Sequence, residues 1–177
     1  MYVRATGKGS SFTFASNLQP SSSGEKGFTC ALHYKVSQDA VLSLEEYQNV
    51  ILTSSSSGSG WEFRISSRGL TAMVTFGGAH MDLSHHILDE SHLTGWHSIV
   101  LSMDPTDTNL AEFWFDGKMT ENMIMPAQYT AGHHNSTAGA CPAHGRDRNC
   151  FVGELKGIVI SSRVLTHAEI ATHYLSA

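Results

Sequence analysis

Through most of this chain apolar residues recur at every second position, the period of a strand that turns one face to a core. Between Phe28 and Val36, the residues Phe28, Cys30, Leu32 and Tyr34 share one parity, and Trp61, Phe63 and Ile65 do the same further on. Beyond Ser66-Ser67-Arg68-Gly69, the residues Leu70, Ala72, Val74 and Phe76 repeat the pattern as a hairpin partner would. Ser11-Phe12-Thr13-Phe14 also alternates, and Asn49 to Thr53 reads as a short strand ended by the loop Ser54-Ser55-Ser56-Ser57-Gly58-Ser59-Gly60. From Trp96 to Met103 both parities are apolar, with Ile99, Leu101 and Met103 on one and Trp96 and Val100 on the other. Such a strand needs a cover on its back as well as a core in front. Ala111 to Phe115 runs into Asp116-Gly117, a hairpin-turn pair, and Phe151 to Ser161 is the last long strand. Met81 to His92 reads as a loop.

Helical signals are few. Thr166-His167-Ala168-Glu169 is a capping box, and Ile170 and Tyr174 then fall at i and i+4 on one face. Glu45-Glu46-Tyr47 is expected to form a single turn. The pattern is all-β with one short C-terminal helix, and the Ser/Gly run is a loop within one domain over 1–177. Phe28, Leu32, Phe63, Ile65, Val74, Phe76, Ile99, Leu101, Phe113, Phe115, Ile158 and Ile160 are expected to line the core between two sheets.

Composition narrows the class. Of 177 residues 41% are hydrophobic and 15% charged, the wrong balance for a disordered chain. A net charge of −5 leaves no basic footprint for nucleic acid. No apolar run approaches the ~18 residues that a membrane span needs, so no direct membrane insertion is expected. Met1 to Lys8 holds no signal-peptide core, so the chain is expected to be a mature or excised piece, or to lack that route. Eleven histidines would carry the net charge through zero in mildly acidic conditions if all were protonated; they read as a His-tolerant surface.

Three cysteines cannot all pair within one chain. Cys30 lies in a strand and is expected to be buried and free, while Cys141 and Cys150 flank an eight-residue polar turn that a disulfide would close. His133, His134, Cys141, His144 and Cys150 form a competing zinc set, which excludes the disulfide. Asn135-Ser136-Thr137 is an N-glycosylation sequon, so Asn135 and the Cys141–Cys150 pair together lean towards an extracellular or cell-surface protein. Trp114 alternates against Phe113 and Phe115 and, if these are buried, faces outward or into a groove, where it stacks on a sugar or is capped by a loop. No Gly-x-Ser-x-Gly organises a Ser/His/Asp site.

Three blocks carry a resemblance. Gly95-Trp96-His97-Ser98-Ile99-Val100-Leu101, then Phe113-Trp114-Phe115-Asp116-Gly117-Lys118, then the stretch from Phe151 to Ile170 with Arg163-Val164-Leu165-Thr166 and Glu169-Ile170 stand in order. Together they resemble the concanavalin A-like lectin/glucanase superfamily, in its laminin-G-like, pentraxin-like branch. The resemblance implies a jelly-roll sandwich of two antiparallel sheets. Members bind glycans, proteins or calcium, and a few cleave polysaccharides. The chain departs from the family at Lys156 and Gly157, where acidic residues are usual. The Glu-x-Asp-x-x-Glu run that resembles the catalytic strand of retaining glucanases is missing, so no hydrolase activity is expected. What remains is a non-catalytic module for a glycan or glycoprotein partner within a larger assembly. The alternative is a subunit that uses the sandwich only for protein packing. Trp114 and Asp82 are the candidate ligand residues. Asp104, Asp107 and Asn109 cluster in one turn as oxygen donors for calcium, the one cofactor in view; the same residues also suit a turn through local backbone hydrogen bonds.

Overall fold

The computed structural model describes residues 2–6, 12–14, 27–38, 49–56, 59–66, 69–76, 79–86, 93–104, 110–125, 136–138 and 151–176. Its elements are β1 (Tyr2–Thr6), β2 (Phe12–Phe14), β3 (Phe28–Val36), β4 (Asn49–Ser56), β5 (Ser59–Ser66), β6 (Gly69–Phe76), β7 (Ala79–His86), β8 (His97–Asp104), β9 (Leu110–Phe115), β10 (Lys118–Ile124), β11 (Ser136–Ala138), β12 (Val152–Ser161) and α1 (His167–Leu175). The first sheet runs β1-β12-β3-β8-β9-β10 and the second β2-β11-β4-β5-β6-β7. All their pairings are antiparallel, as a jelly-roll sandwich requires.

The period-2 pattern becomes the core. Phe28, Cys30, Leu32 and Tyr34 of β3 face Trp61, Phe63 and Ile65 of β5 in one cluster with Ile99, Leu101, Phe113 and Phe115. Aromatic rings lock the two sheets together, with Phe28 on Trp61 at 5.5 Å and Phe63 on Phe113 at 6.3 Å between centroids. Leu70, Ala72 and Val74 are buried with them, and Ile158 and Ile160 pack partly buried against the cluster. The side chain of Phe76 lies outside the described residues. Cys30 is buried and free, and burial pushes its thiol pKa up, so it behaves as a small apolar residue.

The apolar back of β3, β8 and β9 is covered by α1 and its lead-in. Ala31, Val100 and Trp114 form a second cluster with Leu165 and Ile170. The Thr29 hydroxyl donates to the Arg163 carbonyl at 2.8 Å and accepts from the Leu165 N–H at 3.1 Å, which pins the lead-in to the sheet. Gly27 is a glycine because any Cβ there would run into Val164. The helix starts as its sequence predicts: the Glu169 N–H donates to the Thr166 hydroxyl, and the Thr166 N–H donates to the Glu169 carboxylate at 2.8 Å. Arg163 forks onto the same carboxylate, and these hydrogen bonds hold Glu169 down at about 2.

Two readings are corrected. The serine run is not one loop, because β4 continues to Ser56 and β5 begins at Ser59, pairing Ser54 with Trp61 and Ser55 with Gly60. A two-residue connection keeps the backbone ladder closed whatever the side chains are, so a polar run can still be strand. Met81 is likewise not the start of a loop; β7 runs through it, pairing Asp82 with Met73 and turning Leu83 into the core. Asp82 points the other way and is exposed, and that polar face hid the alternation. Glu45-Glu46-Tyr47 lies outside the described residues.

Candidate functional site

At one end of the first sheet β3 stops while β8 and β12 begin, and their ends leave an open cleft of about 720 Å³. Its lining includes Arg4, Lys35, Gln38, Thr94, Gly95 and Glu154. Strand register explains the charges. Glu154 of β12 pairs with Arg4 on one side and with Lys35 on the other, so acid and bases form one cross-strand row. Arg4 and Lys35 are exposed and Glu154 is half-buried. Gly153 beside it has no room for a side chain, since a Cβ would meet the Lys35 carbonyl and the Phe151 ring. Two residues along β12 from Glu154, on the same face, Lys156 holds its ammonium 4.2 Å from the centre of the half-buried Trp96 ring.

The Thr94–Gly95 wall of the cleft is held from beneath. His97, buried at the start of β8, places Nδ1 2.8 Å from Asp116 Oδ2 and Nε2 3.2 Å from the Thr94 carbonyl. The Ser98 N–H donates to the other Asp116 oxygen at 2.8 Å, and the Asp116 N–H returns a bond to the Ser98 carbonyl. Asp116 has φ 46° and Gly117 φ 73°, the left-handed pair that a tight hairpin needs. The Trp-His block and the Asp-Gly block therefore meet through His97 and Asp116. In the sequence the two blocks stand apart, and the signal it holds is a histidine in one and a carboxylate in the other.

Behind the cleft, under α1, lies a histidine pair. His33 of β3 and His173 of α1 stack with centroids 4.2 Å apart and planes 8° from parallel. His33 Nε2 donates to the His173 carbonyl at 2.8 Å, and His173 Nε2 donates to the Gly157 carbonyl at 2.9 Å. His33 Nδ1 is buried without a hydrogen-bond partner. Gly157, at φ 59°, lacks the Cβ that would stand 2.6 Å from that nitrogen. The departures Lys156 and Gly157 thus have structural uses, one against Trp96 and one against His33.

The candidate residues read from sequence do not assemble. Trp114 is 7% exposed, lies under α1 against His167 at 4.8 Å, and donates from Nε1 to Glu112. Of its two sequence readings, open to a ligand or capped, the structure shows the capped one, with the helix in place of a loop as the cap. Asp82 lies on the outer face of the other sheet, beside a small depression of about 80 Å³ with Arg64 and Thr71. Trp114 and Asp82 therefore stand on opposite outer faces of the sandwich. Asp104 ends β8, half-buried opposite Leu110. Its proposed calcium partners Asp107 and Asn109 lie outside the described residues, as do Cys141, Cys150 and Asn135. Among the described residues no three His, Cys, Asp or Glu side chains are grouped to hold a metal ion, and no described helix is long and apolar enough to cross a membrane.

The sandwich, its capping helix and the joined Trp-His and Asp-Gly blocks define a lectin-type fold. The chain belongs to the concanavalin A-like lectin/glucanases superfamily, through the Laminin_G_3 family, whose model matches residues 6–171. No curated protein matches it by sequence. Among solved structures, the receptor binding domain of botulinum neurotoxin D superposes with a TM-score of 0.78 at 12% identity, over 98% of this chain and 43% of that one. The botulinum neurotoxin serotype G binding domain gives 0.73 at 13%, over 99% and 42%. The binding domain of botulinum neurotoxin DC, solved with SialylT, gives 0.66 at 12%, over 86% and 36%. The chain spans about two fifths of the length of the first two, and at such identities the likeness is one of fold.

Proposed function

We propose that this domain is a non-catalytic recognition module that takes a glycan or glycoprotein in the cleft between Arg4, Lys35, Glu154 and the Thr94–Gly95 wall, within a larger secreted or cell-surface assembly. The observation that carries the reading is the cleft itself, about 720 Å³ beside a partly exposed Trp96. That volume lies within the ~300–1,000 Å³ usual for ligand sites, and an indole beside polar groups suits a sugar's mixed surface. The family and the fold shared with binding domains support it. A hydrolase needs one carboxyl group that can give a proton and a second poised nearby. Glu62 is fully buried and ion-paired with Arg64, and Asp82 lies two strands away on an exposed edge, which favours binding over cleavage.

A glycan array probed with the purified domain and with Trp96→Ala tests the reading. Defined saccharides should be retained by the first and lost by the second, with no release of reducing ends from polysaccharides. Signal that disappears with chelator and returns with calcium would show that binding needs calcium, and loss of that dependence in Asp104→Ala/Asp107→Ala would assign it to the turn of Asp104, Asp107 and Asn109. Binding of no saccharide at all overturns the reading in favour of protein packing, for which the exposed Met119 and Ile124 of edge strand β10 offer one surface among the described residues.

A further inference from the structure

We infer that the saccharide taken by this cleft is an acidic one, its carboxylate or sulfate held between the Arg4 guanidinium and the Lys35 ammonium; the inference rests on the recognition reading above. The chain as a whole carries a net charge of −5, yet among the described residues the lining of this cleft holds two bases against one carboxylate. Arg4, Lys35 and Lys156 project from the same outer face, and among the described lining residues Glu154 is the one carboxylate. Neighbouring strands lie about 4.8 Å apart, so Arg4 and Lys35 straddle Glu154 with their Cα atoms about 10 Å apart. Their long side chains can close on an anion above the row.

Position gives the ligand an orientation. Trp96 follows the Thr94–Gly95 wall, and the Lys156 ammonium stands over one face of its ring, 4.2 Å from the centroid. A sugar with its apolar face on the remaining indole would point its acidic group back along the row towards Lys35 and Arg4. Glu154, between the two bases, accepts from sugar hydroxyls and offsets part of their charge, so singly charged residues are preferred over densely charged polymers. The wall is fixed by His97 and Asp116, so this side of the cleft meets the ligand with little reordering.

The test is a titration of the whole domain with matched oligosaccharides: a uronic-acid pair, native and carboxyl-reduced, and a sulfated pair, native and desulfated. Each is measured with the wild type, with the Arg4→Glu/Lys35→Glu double variant and with Trp96→Ala. Both reversed positions are exposed, so the double variant should fold, and matching circular dichroism and melting curves establish that it does. The acidic member of at least one pair should bind about tenfold or more tightly than its neutral counterpart, lose that advantage in the double variant, and weaken as salt rises from about 50 to about 500 mM. Which pair shows the effect distinguishes carboxylate from sulfate. Equal binding of acidic and neutral members, abolished by Trp96→Ala but untouched by Arg4→Glu/Lys35→Glu, overturns the acidic inference and leaves the recognition reading standing. No binding of any member overturns both. Retention of anionic lipid vesicles or an acidic peptide instead of a saccharide also overturns it.

Discussion

The buried histidine pair predicts a stability that falls on acidification, and His33 sets its size. Its pKa drops from 6.5 to about 4, first because burial strips the charged ring of water, then because His173 and Lys156 add like charge; the hydrogen bond to the His173 carbonyl offsets part of this. That bond fixes the proton on Nε2, so protonation must occur at Nδ1, a buried nitrogen with no acceptor facing it. Between pH 6.5 and about 4 the unfolded chain therefore holds a proton that the folded chain does not, and stability falls as pH falls through that window. The contribution is fully present above 6.5 and fully lost below about 4. At about 1.4 kcal/mol per pH unit, the loss between pH ~7.5 and ~4.5 is about 2.5 kcal/mol, or about 5–10 °C in Tm for a domain of this size. The measurement is a difference: urea unfolding at both pH values for wild type and for His33→Gln, which keeps a donor for the His173 carbonyl and cannot ionise. The variant should lose about 2.5 kcal/mol less than wild type on acidification. An identical loss in both proteins, or an NMR titration of His33 near its ordinary value, would refute the reasoning.

Two further predictions concern single contacts. Thr166→Ala removes the hydroxyl that takes the Glu169 N–H and should cost about 1 kcal/mol in chemical denaturation, with α1 exchanging its amide hydrogens first. Arg64→Ala leaves Glu62 as an uncompensated charge with no exposed surface and should cost about 3–5 kcal/mol, whereas Glu62→Leu/Arg64→Met should recover most of that loss; an equal loss in single and double variants would rule out the unpaired charge as the cause.

What the sequence disclosed follows from what burial writes into it. The inward parity of β3, β5, β6, β8 and β9 was legible because each sends alternate apolar residues into one core, and the Asp116–Gly117 turn and Thr166 cap were legible because their chemistry is local. The serine half of β4 and the polar edge of β7 were not, since pairing there is carried by backbone bonds that leave no mark on side-chain type. The site was less legible still. Arg4, Lys35 and Glu154 are scattered through the chain and become neighbours only when β12 inserts between β1 and β3. No spacing rule anticipates a row assembled from three distant strands.

Trp114 shows why the proposed ligand face is read from the structure. A tryptophan between two core phenylalanines must lie on the outer face, and that much the pattern of Phe113, Trp114 and Phe115 settles. Whether the outer face is open depends on where α1 lands. Gly27 and Thr29 bring its lead-in down over Ala31 and Val100, and Ile170 completes a patch that leaves Trp114 7% exposed. The same placement divides the outer face of the first sheet in two. One part is closed by the helix and spent on stability; the other, beyond the His33–His173 stack, carries Trp96, Lys156 and the Arg4–Glu154–Lys35 row. On the proposed reading, recognition on this face falls to the half that the helix does not reach, where Trp96 is a half-buried aromatic residue beside Lys156.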